Sequence, residues 1–406
     1  MTILGLNYAP EPTGISPYTA GLAEGLTAAG HSVHVVTGYP HYPEWELRGD
    51  YKGWGLTETI NGVAIKRVRH RIPRTPNALS RMHMELSFGA RLVFARWEKP
   101  DVVLVVSPAL FSSALAILRV RLRPNRPAVG IWVQDLYSRG VVETGGGGIL
   151  ARSAAFVESS ILKSADGVVA IHDRFKSHIV DSLGVPAGVV KVIRNWTHLE
   201  KSPTSGLAEI RAQLGWDPQD IVVLHAGNMG KKQGLENVLN AARLAQQTES
   251  RVQFVLMGDG NQRRALEAMA SGLDHLTFIP PLPGDEFLGA LAAADILLVN
   301  ELPGVKDMAV PSKLTSYFNA GRPIIAATDV DSVTAMDVKA SRGGVRVDAA
   351  DPKALLTAAE RIGSDNNAAG SFGEAGLRFR HETLSEDTAI GHYDQFVSSL
   401  ALLRGR

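Results

Sequence analysis

The stretch HAGNMGKKQGLENVL, from His225 to Leu239, determines how the second half of this chain is expected to fold. Apolar residues Ile221 to Leu224 precede it, and a short apolar run of this kind predicts a buried strand. The glycines and lysines that follow predict a loop, and a helical pattern resumes at Leu235. A buried strand, a glycine-bearing loop and a helix make the repeating unit of a doubly wound α/β domain.

The same alternation runs through the whole chain. The strand-like runs of the first half are TILGLNY, SVHVVTG, AIKRVR, DVVLVVS, PAVGIWVQD, GVVAI and VVKVIRN, and those of the second half are IVVLHAG, VQFVLMGDG, LTFIP, ILLVNE, PIIAAT and GVRVD. Helix-length segments between them predict parallel sheets with crossover helices. The polar stretch at 198–207 predicts a linker. We therefore expect an N-terminal domain at 1–200, a C-terminal domain at 201–385, and a helix at 386–406 that packs back on the domains.

The composition limits the classes of protein that fit. A chain of 406 residues exceeds the size of one core, about 250 to 300 residues, and a net charge of +1 gives no field for nucleic acid. Cysteine is absent, which excludes disulfides and thiolate sites. The start does not resemble a signal peptide, and the run VVLVVSPALFSSALAILR, broken by Ser-Pro, favours a strand and a helix over a membrane span. A cytoplasmic protein is expected.

The loop after Leu224 lies where a doubly wound sheet binds its ligands, beyond the carboxyl end of a strand. Gly227 and Gly230 allow close approach of the backbone, and Lys231 and Lys232 offer positive charge to a diphosphate. The stretch does not match G-x-x-x-x-G-K-[ST], so a P-loop is rejected. A surface turn with two solvated lysines remains the alternative.

Two further strand ends in this half attract attention. The sequence Gly-Asp-Gly at 258–260 stands between a strand and a helix, where a simple turn explains it equally well. Pro311 and Ser312 mark a helix start, with Lys313 in the first turn. A cation there opposes the helix dipole, which favours an interpretation in which Lys313 faces an anion.

The chain resembles glycosyltransferase family 4, in particular the bacterial subgroup that assembles colanic-acid-type and other surface polysaccharides. The similar segments are NYAPEPTGISPYTAGLAEGLTAAGHSVHVVT, VVKVIRNW, HAGNMGKKQGLENVL, FVLMGDG, AAADILLV and VPSKLTSYFNAGRPIIA, over nearly the whole chain. The resemblance implies two facing Rossmann-like doubly wound α/β domains of GT-B type with a cleft between them. It also implies a retaining, metal-independent transferase. The expected donor is a nucleotide sugar, with a UDP-sugar favoured, and the expected acceptor is a glycan or a polyprenyl-linked glycan.

The resemblance assigns roles on the donor side. In the family an Arg and a Lys hold the diphosphate; Asn228 stands at the Arg position, and Lys232, or less surely Lys231, takes the Lys role. Lys232 and Lys313 are the expected catalytic groups there. The expected donor-binding residues are Gly14, Gly227, Asn228, Gly230, Lys231, Gly258, Asp259, Glu301, Pro311 and Ser312.

The sequence departs from the family at two carboxylates. Many members carry a pair of glutamates, and counting back from Gly321 puts Met308 and Ser316 at those positions. Glu301 can take over at most part of the role of these two glutamates. Their absence leaves the identity of the donor sugar undetermined. The alternatives are an inactive partner subunit that binds a nucleotide sugar, and a sugar-nucleotide epimerase or a phosphorylase on the same fold.

The first half supplies the acceptor-side candidates. Thr13 and Tyr18 are expected to bind the acceptor, with Gly14 between them in the first strand-to-helix loop. Asp135 ends a strand where the family often has His-Asp, so the His role is missing, and a helix cap is its alternative. His172 also follows a strand and is a catalytic candidate, although an N-cap by Asp173 explains the local pattern equally well.

Two predictions concern metals and membranes. His31, His34 and His41 are spread over different elements, so no metal site is expected. Between Asn61 and Arg126 there are thirteen Lys or Arg against three Asp or Glu. The apolar residues of this segment include Ile72, Leu79, Met82, Met84, Leu86, Phe88 and Trp97. A basic, partly apolar face predicts peripheral binding to anionic lipid on the inner face of the membrane, with solvated arginines as the alternative.

Overall fold

The structure is a computed structural model that describes residues 1–12, 14–75, 78–138, 148–197, 202–305 and 312–403. The chain forms two compact units. One comprises Met1–His198 together with Glu386–Arg406, and the other comprises Leu199–Ser385. Each unit is built on one sheet.

The first unit alternates strands and helices. Its strands are β1 Thr2–Gly5, β2 His34–Gly38, β3 Gly55–Ile60, β4 Val63–Val68, β5 Val102–Ser107, β6 Ala128–Val133, β7 Gly167–Ala170 and β8 Val190–Val192. Its helices before the linker are α1 Ser16–Ala28, α2 Ala78–Phe94, α3 Leu110–Arg121, α4 Ile149–Lys163 and α5 Asp173–Ser177, with a π-helical turn His178–Ser182 and a 3-10 turn Ala187–Val189. The strand order is β3-β4-β2-β1-β5-β6-β7-β8.

The expectation of a purely parallel arrangement is wrong at one edge of this sheet. Strand β3, absent from the predicted strands, pairs antiparallel with β4, whereas the other pairs are parallel. The two strands are joined by Asn61 and Gly62, whose φ angles are 49° and 81°. An Asn-Gly turn with both φ angles positive is the favoured two-residue hairpin turn. The signal was present in the sequence, but the exposed, polar β3 has no apolar run to mark it as a strand.

The second unit also alternates strands and helices. Its strands are β9 Ile221–Ala226, β10 Val252–Met257, β11 Leu276–Ile279, β12 Ile296–Asn300, β13 Ile324–Ala327 and β14 Gly344–Val347. Its helices are α6 Leu207–Gln213, α7 Glu236–Gln247, α8 Arg263–Met269, α9 Gly284–Ala293, α10 Ser312–Ala320, α11 Val333–Ser341, α12 Pro352–Gly363 and α13 Asn366–Thr383, with a 3-10 turn Lys231–Gln233. The all-parallel order β11-β10-β9-β12-β13-β14 is that of a doubly wound sheet.

The second sheet has a core on each face. Ile221 and Val223 of β9 pack in one core with α7 and α12, and Val222 and Leu224 pack in the other with α9 and α10. Strands covered on both faces carry continuous apolar runs rather than alternating ones. This pattern is what made the strands of this unit visible in the sequence.

The C-terminal helix, α14 Glu386–Leu402, packs in the first unit against α1 and β6. Its side chains fill the space left by glycines: a Cβ at Gly25 would lie 2.6 Å from Ile390 Cγ1, and one at Gly167 would lie 2.9 Å from Phe396 Cε2. Tyr393 is buried with its ring 5.1 Å from that of Trp132. The helix therefore contributes core side chains to the first sheet.

Candidate active site

In the second unit the strand order reverses between β9 and β12, where a doubly wound sheet binds ligands. The loop after β9 begins at Gly227, whose φ is +128°. A Cβ at this position would lie 2.9 Å from Cε of Lys313 on α10. Glycine is required here because the backbone angle disfavours other residues and because the stem of Lys313 passes directly beside the loop.

The loop after β10 is bonded tightly to this first loop. The N–H of Met229 donates to the carbonyl of Asp259 at 2.8 Å, and the N–H of Gln262 donates to the carbonyl of Met229 at 3.0 Å. Gly258 has a φ of +139°, and a Cβ there would lie 1.9 Å from the carbonyl oxygen of Gly227. The two glycine-bearing loops therefore form one rigid structure.

Asn228 lies inside this structure. Its Nδ2 is 2.9 Å from the place of a Cβ at Gly230, and its Oδ1 is 2.7 Å from the place of one at Gly260. A short side chain packed between the two loops replaces the longer Arg that the family resemblance implies at this position. Position 228 therefore supplies no positive charge, and the lysine whose stem passes beside Gly227 is the candidate for that role.

Lys313 is that lysine. Its Nζ lies 3.2 Å from Nε2 of His225, the last but one residue of β9. Burial and the neighbouring ammonium hold the pKa of His225 well below its usual range, so the ring is neutral and accepts a hydrogen bond. Burial lowers the pKa of Lys313 to about 8, and the Glu301 carboxylate opposes that shift. At neutral pH Lys313 is a poorly solvated cation at the ligand end of the sheet.

Glu301 follows β12 directly and accepts a hydrogen bond from Thr334 Oγ1. Burial raises its pKa, and the Thr334 hydroxyl and Lys313 lower it. Its charge acts on Lys313, so the structure brings the two predicted donor-side residues together. Ser316, at one of the two family glutamate positions, lies on α10, and Met308, at the other, is outside the described residues.

The two lysines of the β9 loop are exposed, in the 3-10 turn Lys231–Gln233. The carbonyl of Lys232 accepts a hydrogen bond from the N–H of Leu302 at 2.8 Å. Gln233 Oε1 accepts from the N–H of Gly230 at 3.0 Å. The lysines therefore stand on a turn fixed to the chain after β12, on the same edge as Lys313.

Three residues that support this site were missed from the sequence. Tyr317 is buried on α10, and its hydroxyl accepts a hydrogen bond from the N–H of Ala226 at 2.8 Å. Asn300 Nδ2 donates to the carbonyls of Gln233 and Gly234 at 2.7 and 2.9 Å. His225 is the third. A polar residue within an otherwise apolar strand was the available signal for His225 and Asn300.

The first unit has a pocket of about 300 Å³ at its own reversal of strand order, between β1 and β5. It is lined by Leu6 and Asn7 after β1, by Val106, Pro108 and Ala109 around the end of β5, by Gly14 and Ile15, by His41, Tyr42 and Trp45, and by Arg81, Met84 and Glu85 of α2. Of the sequence candidates, Gly14 lines this pocket. The other lining side chains were missed, because they come from elements far apart in the chain.

Glu11 fixes one wall of the pocket. Its Oε1 accepts hydrogen bonds from the N–H groups of His41 and Tyr42 at 2.8 and 3.0 Å, and its Oε2 accepts from Asn7 Nδ2 at 2.9 Å. The carboxylate is buried, with 3% of the residue exposed. A buried carboxyl group bound by several donors makes a rigid connection between the β1 loop and the loop after β2.

The remaining candidates of the first unit lie apart from the pocket lining. Tyr18 is buried on α1, with its ring 5.5 Å from that of Trp196 and its pKa raised by burial to about 12. Asp135 is exposed after β6, and its Oδ1 accepts a hydrogen bond from the N–H of Leu136 at 2.8 Å. Thr13 is outside the described residues. The acceptor roles of Thr13 and Tyr18 and the catalytic role of Asp135 stay predictions.

His172 is buried after β7 and caps α5, because its Nδ1 accepts a hydrogen bond from the N–H of Arg174 at 3.2 Å. The alternative that Asp173 is the N-cap is wrong: Asp173 is the first helical residue. His172 adopts the extended backbone of a cap, and its ring nitrogen takes the place of the usual carboxylate oxygen.

Pro311 lies outside the described residues, and of Ser312 only the backbone, at the first position of α10, is described. Their donor-binding roles stay predictions. Among the described residues, no group of three or more His, Asp or Glu side chains is arranged to hold a metal ion.

Both halves of the chain match glycosyltransferase family models. Residues 13–196 match the family model described as "Glycosyl transferase 4-like domain", and residues 220–365 match "Glycosyl transferases group 1". The chain is 32% identical over 333 residues to the "Putative colanic acid biosynthesis glycosyl transferase WcaI" of Escherichia coli, covering 79% of this chain and 81% of that protein.

Two solved structures share the fold. Sucrose-phosphate synthase from Thermosynechococcus elongatus aligns with a TM-score of 0.73 at 19% identity, over 98% of this chain and 99% of that one. Anabaena HepE in complex with UDP aligns with a TM-score of 0.72 at 14% identity, over 98% of this chain and 100% of that one. At these identities the similarity establishes the fold, which comprises two Rossmann-like domains.

Proposed function

The chain belongs to glycosyltransferase family 4, and on that premise we propose that it is a retaining, metal-independent enzyme. It moves a hexose-type residue from a UDP-sugar to a glycan or polyprenyl-linked acceptor in surface polysaccharide assembly. The observation that carries the proposal is Lys313, held by His225 beside Gly227 where the second sheet reverses its strand order. HepE was solved with UDP and with UDP-glucose, so UDP-sugars are the first donors to test.

The site suits departure of a nucleoside diphosphate. When the bond between sugar and phosphate breaks, negative charge develops on the leaving phosphate oxygens. A cation fixed beforehand in a poorly solvated place stabilises that charge without reorganising in the reaction. Lys313 fits this role because neutral His225 accepts one of its hydrogen bonds without adding a negative charge, and Glu301 helps to keep the ammonium protonated. Exposed Lys231 and Lys232 add charge that solvent screens.

Retention without a carboxylate nucleophile is part of the proposal. A phosphate oxygen of the donor removes the proton from the acceptor hydroxyl on the face from which the diphosphate leaves. The new glycosidic bond then forms on that same face. The protein orients the two substrates and stabilises the diphosphate, which are the tasks that lysines and glycine-bearing loops perform.

The proposal is tested by a donor screen followed by a transfer assay in EDTA. A UDP-sugar is expected to raise the melting temperature, because a ligand that binds the folded state stabilises it by RT ln(1 + [L]/Kd). We expect transfer at the same rate with and without EDTA, and NMR of the product to show the donor's anomeric configuration. Donor binding without transfer to any glycan would instead indicate an inactive partner subunit, and donor conversion without acceptor would indicate an epimerase. An inverted product or loss of rate on chelation would overturn the mechanism.

We also propose that α2 and α3 rest on an anionic lipid surface. Exposed apolar side chains follow each helix: Leu79, Leu86 and Phe94 lie on α2, Leu118 lies on α3, and Leu122 is the C-cap of α3. Exposed arginines at or just after the ends of these helices are Arg96, Arg121 and Arg123. Apolar side chains that enter the interface, beside cations that attract anionic headgroups, are the two requirements of a peripheral surface.

The structure corrects the composition of this face. Met84, Phe88 and Trp97, counted from the sequence as parts of it, are core residues with 5%, 1% and 2% exposure. Arg119 is not a solvated cation either: its Nη1 donates to the carbonyls of Leu92 and Ala95, at 2.5 and 2.7 Å. Arg119 closes the end of α2, so its replacement would disturb the fold. No helix in the described part of the chain has the length and apolar character needed to cross a bilayer.

The double variant Leu118→Ser with Leu122→Ser is expected to lose most binding to vesicles of phosphatidylglycerol. Each leucine that enters the interface contributes up to about 1.5 to 3 kcal/mol, so the pair changes partitioning by more than tenfold. Cosedimentation measures the bound fraction, which should also fall as salt rises and vanish with neutral vesicles. The matched control is Leu402→Ser with Leu403→Ser, which replaces two exposed leucines near the C-terminus. Wild-type protein left in the supernatant at low salt would refute the surface.

A further inference from the structure

The pocket of the first unit lies where a doubly wound sheet places a ligand. Neighbouring strands β1 and β5 mark the reversal of strand order, and the residues after them, among them Asn7 and Pro108, form its floor. Its volume of about 300 Å³ is that of roughly ten water molecules, which accommodates one sugar ring. All the residues that line the pocket belong to the first unit.

One wall of the pocket is aromatic. The rings of Tyr42 and Trp45 meet edge to face at 5.9 Å, and the Arg81 guanidinium lies 5.2 Å over the Trp45 ring. Trp45 has a φ of +57°, a conformation that is strained for a bulky residue. Strain of this kind persists where the surrounding structure holds the residue in place. Tyr42 and Trp45 line the pocket with flat aromatic rings, on which the C–H face of a sugar packs well.

Glu85 is a buried polar group of the pocket. The residue is 6% exposed, and its Oε2 accepts a hydrogen bond from the N–H of Phe111 at the start of α3, at 2.9 Å. A carboxylate has about four acceptor positions, so the backbone of α3 leaves capacity for a ligand. Burial raises its pKa to about 7, and Arg81 and the α3 backbone oppose that rise. The charged or titratable groups near it are Arg81 on its own helix, His41 in the pocket wall and Tyr137.

We propose that this pocket binds a terminal, uncharged pyranose of the acceptor, with Glu85 accepting hydrogen bonds from its hydroxyl groups and Tyr42 and Trp45 packing on its ring. The identification of this pyranose as part of the acceptor rests on the proposed function, whereas the binding of a pyranose to the pocket does not. A uronate or a sugar phosphate is expected to bind more weakly, because the Glu85 carboxylate repels a second anion. Arg81, which lowers the pKa of Glu85 and lies over Trp45, offsets part of this repulsion.

The test uses the full-length protein and methyl pyranosides of glucose, galactose, mannose and fucose, with methyl glucuronide as the charged comparison. Saturation-transfer NMR detects binding, and titration gives the affinity. At least one uncharged pyranoside is expected to bind, the glucuronide at least tenfold more weakly. Glu85→Gln, which keeps an oxygen for the Phe111 N–H, should weaken the uncharged ligand at least tenfold. Thermal shift by UDP should be unchanged in this variant.

The matched control is Glu158→Gln. Glu158 is also a buried carboxylate of the first unit that accepts backbone N–H groups, those of Tyr137 and Ser138 at 2.8 and 3.1 Å, and it does not line the pocket. It should leave pyranoside affinity as in the wild type. The proposal would be overturned if no uncharged pyranoside binds or if the glucuronide binds equally well. It would also be overturned if both variants lose the same pyranoside affinity.

Transfer assays separate this proposal from the proposed function. In an active enzyme, Glu85→Gln should raise the acceptor KM at least tenfold with a smaller change in kcat and none in the donor KM. An unchanged acceptor KM would overturn the pocket assignment and leave the transferase intact. If no donor is transferred to any acceptor while pyranoside binding still depends on Glu85, the transferase fails and the pocket stands.

Discussion

Lys313→Met is expected to lower the rate of sugar transfer by on the order of 10² to 10³, the usual effect of removing one preorganised group that stabilises developing charge. The methionine keeps most of the stem that packs beside Gly227 and removes the ammonium 3.2 Å from His225. The effect belongs to kcat, because the charge on the leaving diphosphate grows in the transition state. Steady-state kinetics with a UDP-sugar measures it.

The pH dependence of the same variant separates a functional loss from misfolding. The folded-state pKa of Lys313 is about 8, below the 10.5 of an unperturbed lysine. The unfolded state therefore binds more protons between these values, and the stability of the wild type rises with pH across that window. Below pH 8 the buried charge costs up to about 3 kcal/mol, so Lys313→Met should be no less stable than the wild type at pH 7.

Ligand binding reverses the proton preference of this lysine. A diphosphate beside Lys313 raises its pKa, so UDP affinity should fall as pH rises above 8 in the wild type and stay flat in Lys313→Met. Among the described residues, the groups whose charge bears on Lys313 are His225, which is neutral, and Glu301, which is itself influenced by Asp329. Lys339→Met, on an exposed lysine of the same unit, is the control and should keep wild-type kinetics. A near-normal rate of transfer by Lys313→Met would contradict the role assigned to Lys313.

The second sheet was predictable from the sequence for a physical reason. Each of its strands is covered on both faces, so β9 reads as the continuous apolar run Ile221 to Leu224, and turns or caps mark where the strands end. The positions of Gly227 and Lys313 follow from these boundaries. Both lie at the carboxyl edge of the parallel sheet, which is where parallel topology gathers the strand ends.

The parts that sequence reasoning missed depend on contacts between distant residues. Nothing local shows that His225 meets Lys313, 88 positions later, or that Glu85 accepts the N–H of Phe111 across two helices. For Arg119 the sequence predicted a functional role, and the tertiary structure shows a structural one. Its place in a basic run favoured a solvated charge, whereas the packing of α2 on α3 turns it toward the backbone of Leu92 and Ala95. Side chains that join separate elements acquire their roles from tertiary structure.

Gly258→Ala is expected to have the largest effect on stability, above about 4 kcal/mol, or to prevent folding of the second unit. The added methyl group would lie 1.9 Å from the carbonyl oxygen of Gly227, and this contact is with backbone that cannot rotate away. The φ of +139° adds strain of its own. Relief requires the two loops to separate, which breaks the bond from Met229 N–H to Asp259 and moves Gly227 from Lys313.

Gly272→Ala isolates the contact from the backbone strain. Gly272 lies in the same unit with a φ of +78°, and a Cβ there meets nothing within 4 Å. It should cost only about 1 to 2 kcal/mol, the penalty of a left-handed conformation for alanine. Urea unfolding gives both values, and UDP thermal shift reports whether the site survives in any Gly258→Ala protein that folds. If both variants lose the same stability, the loops are not interlocked at Gly258. The rigidity that holds Gly227 beside Lys313 must then come from elsewhere in the second unit, with the hydrogen bond between Tyr317 and Ala226 the first contact to test.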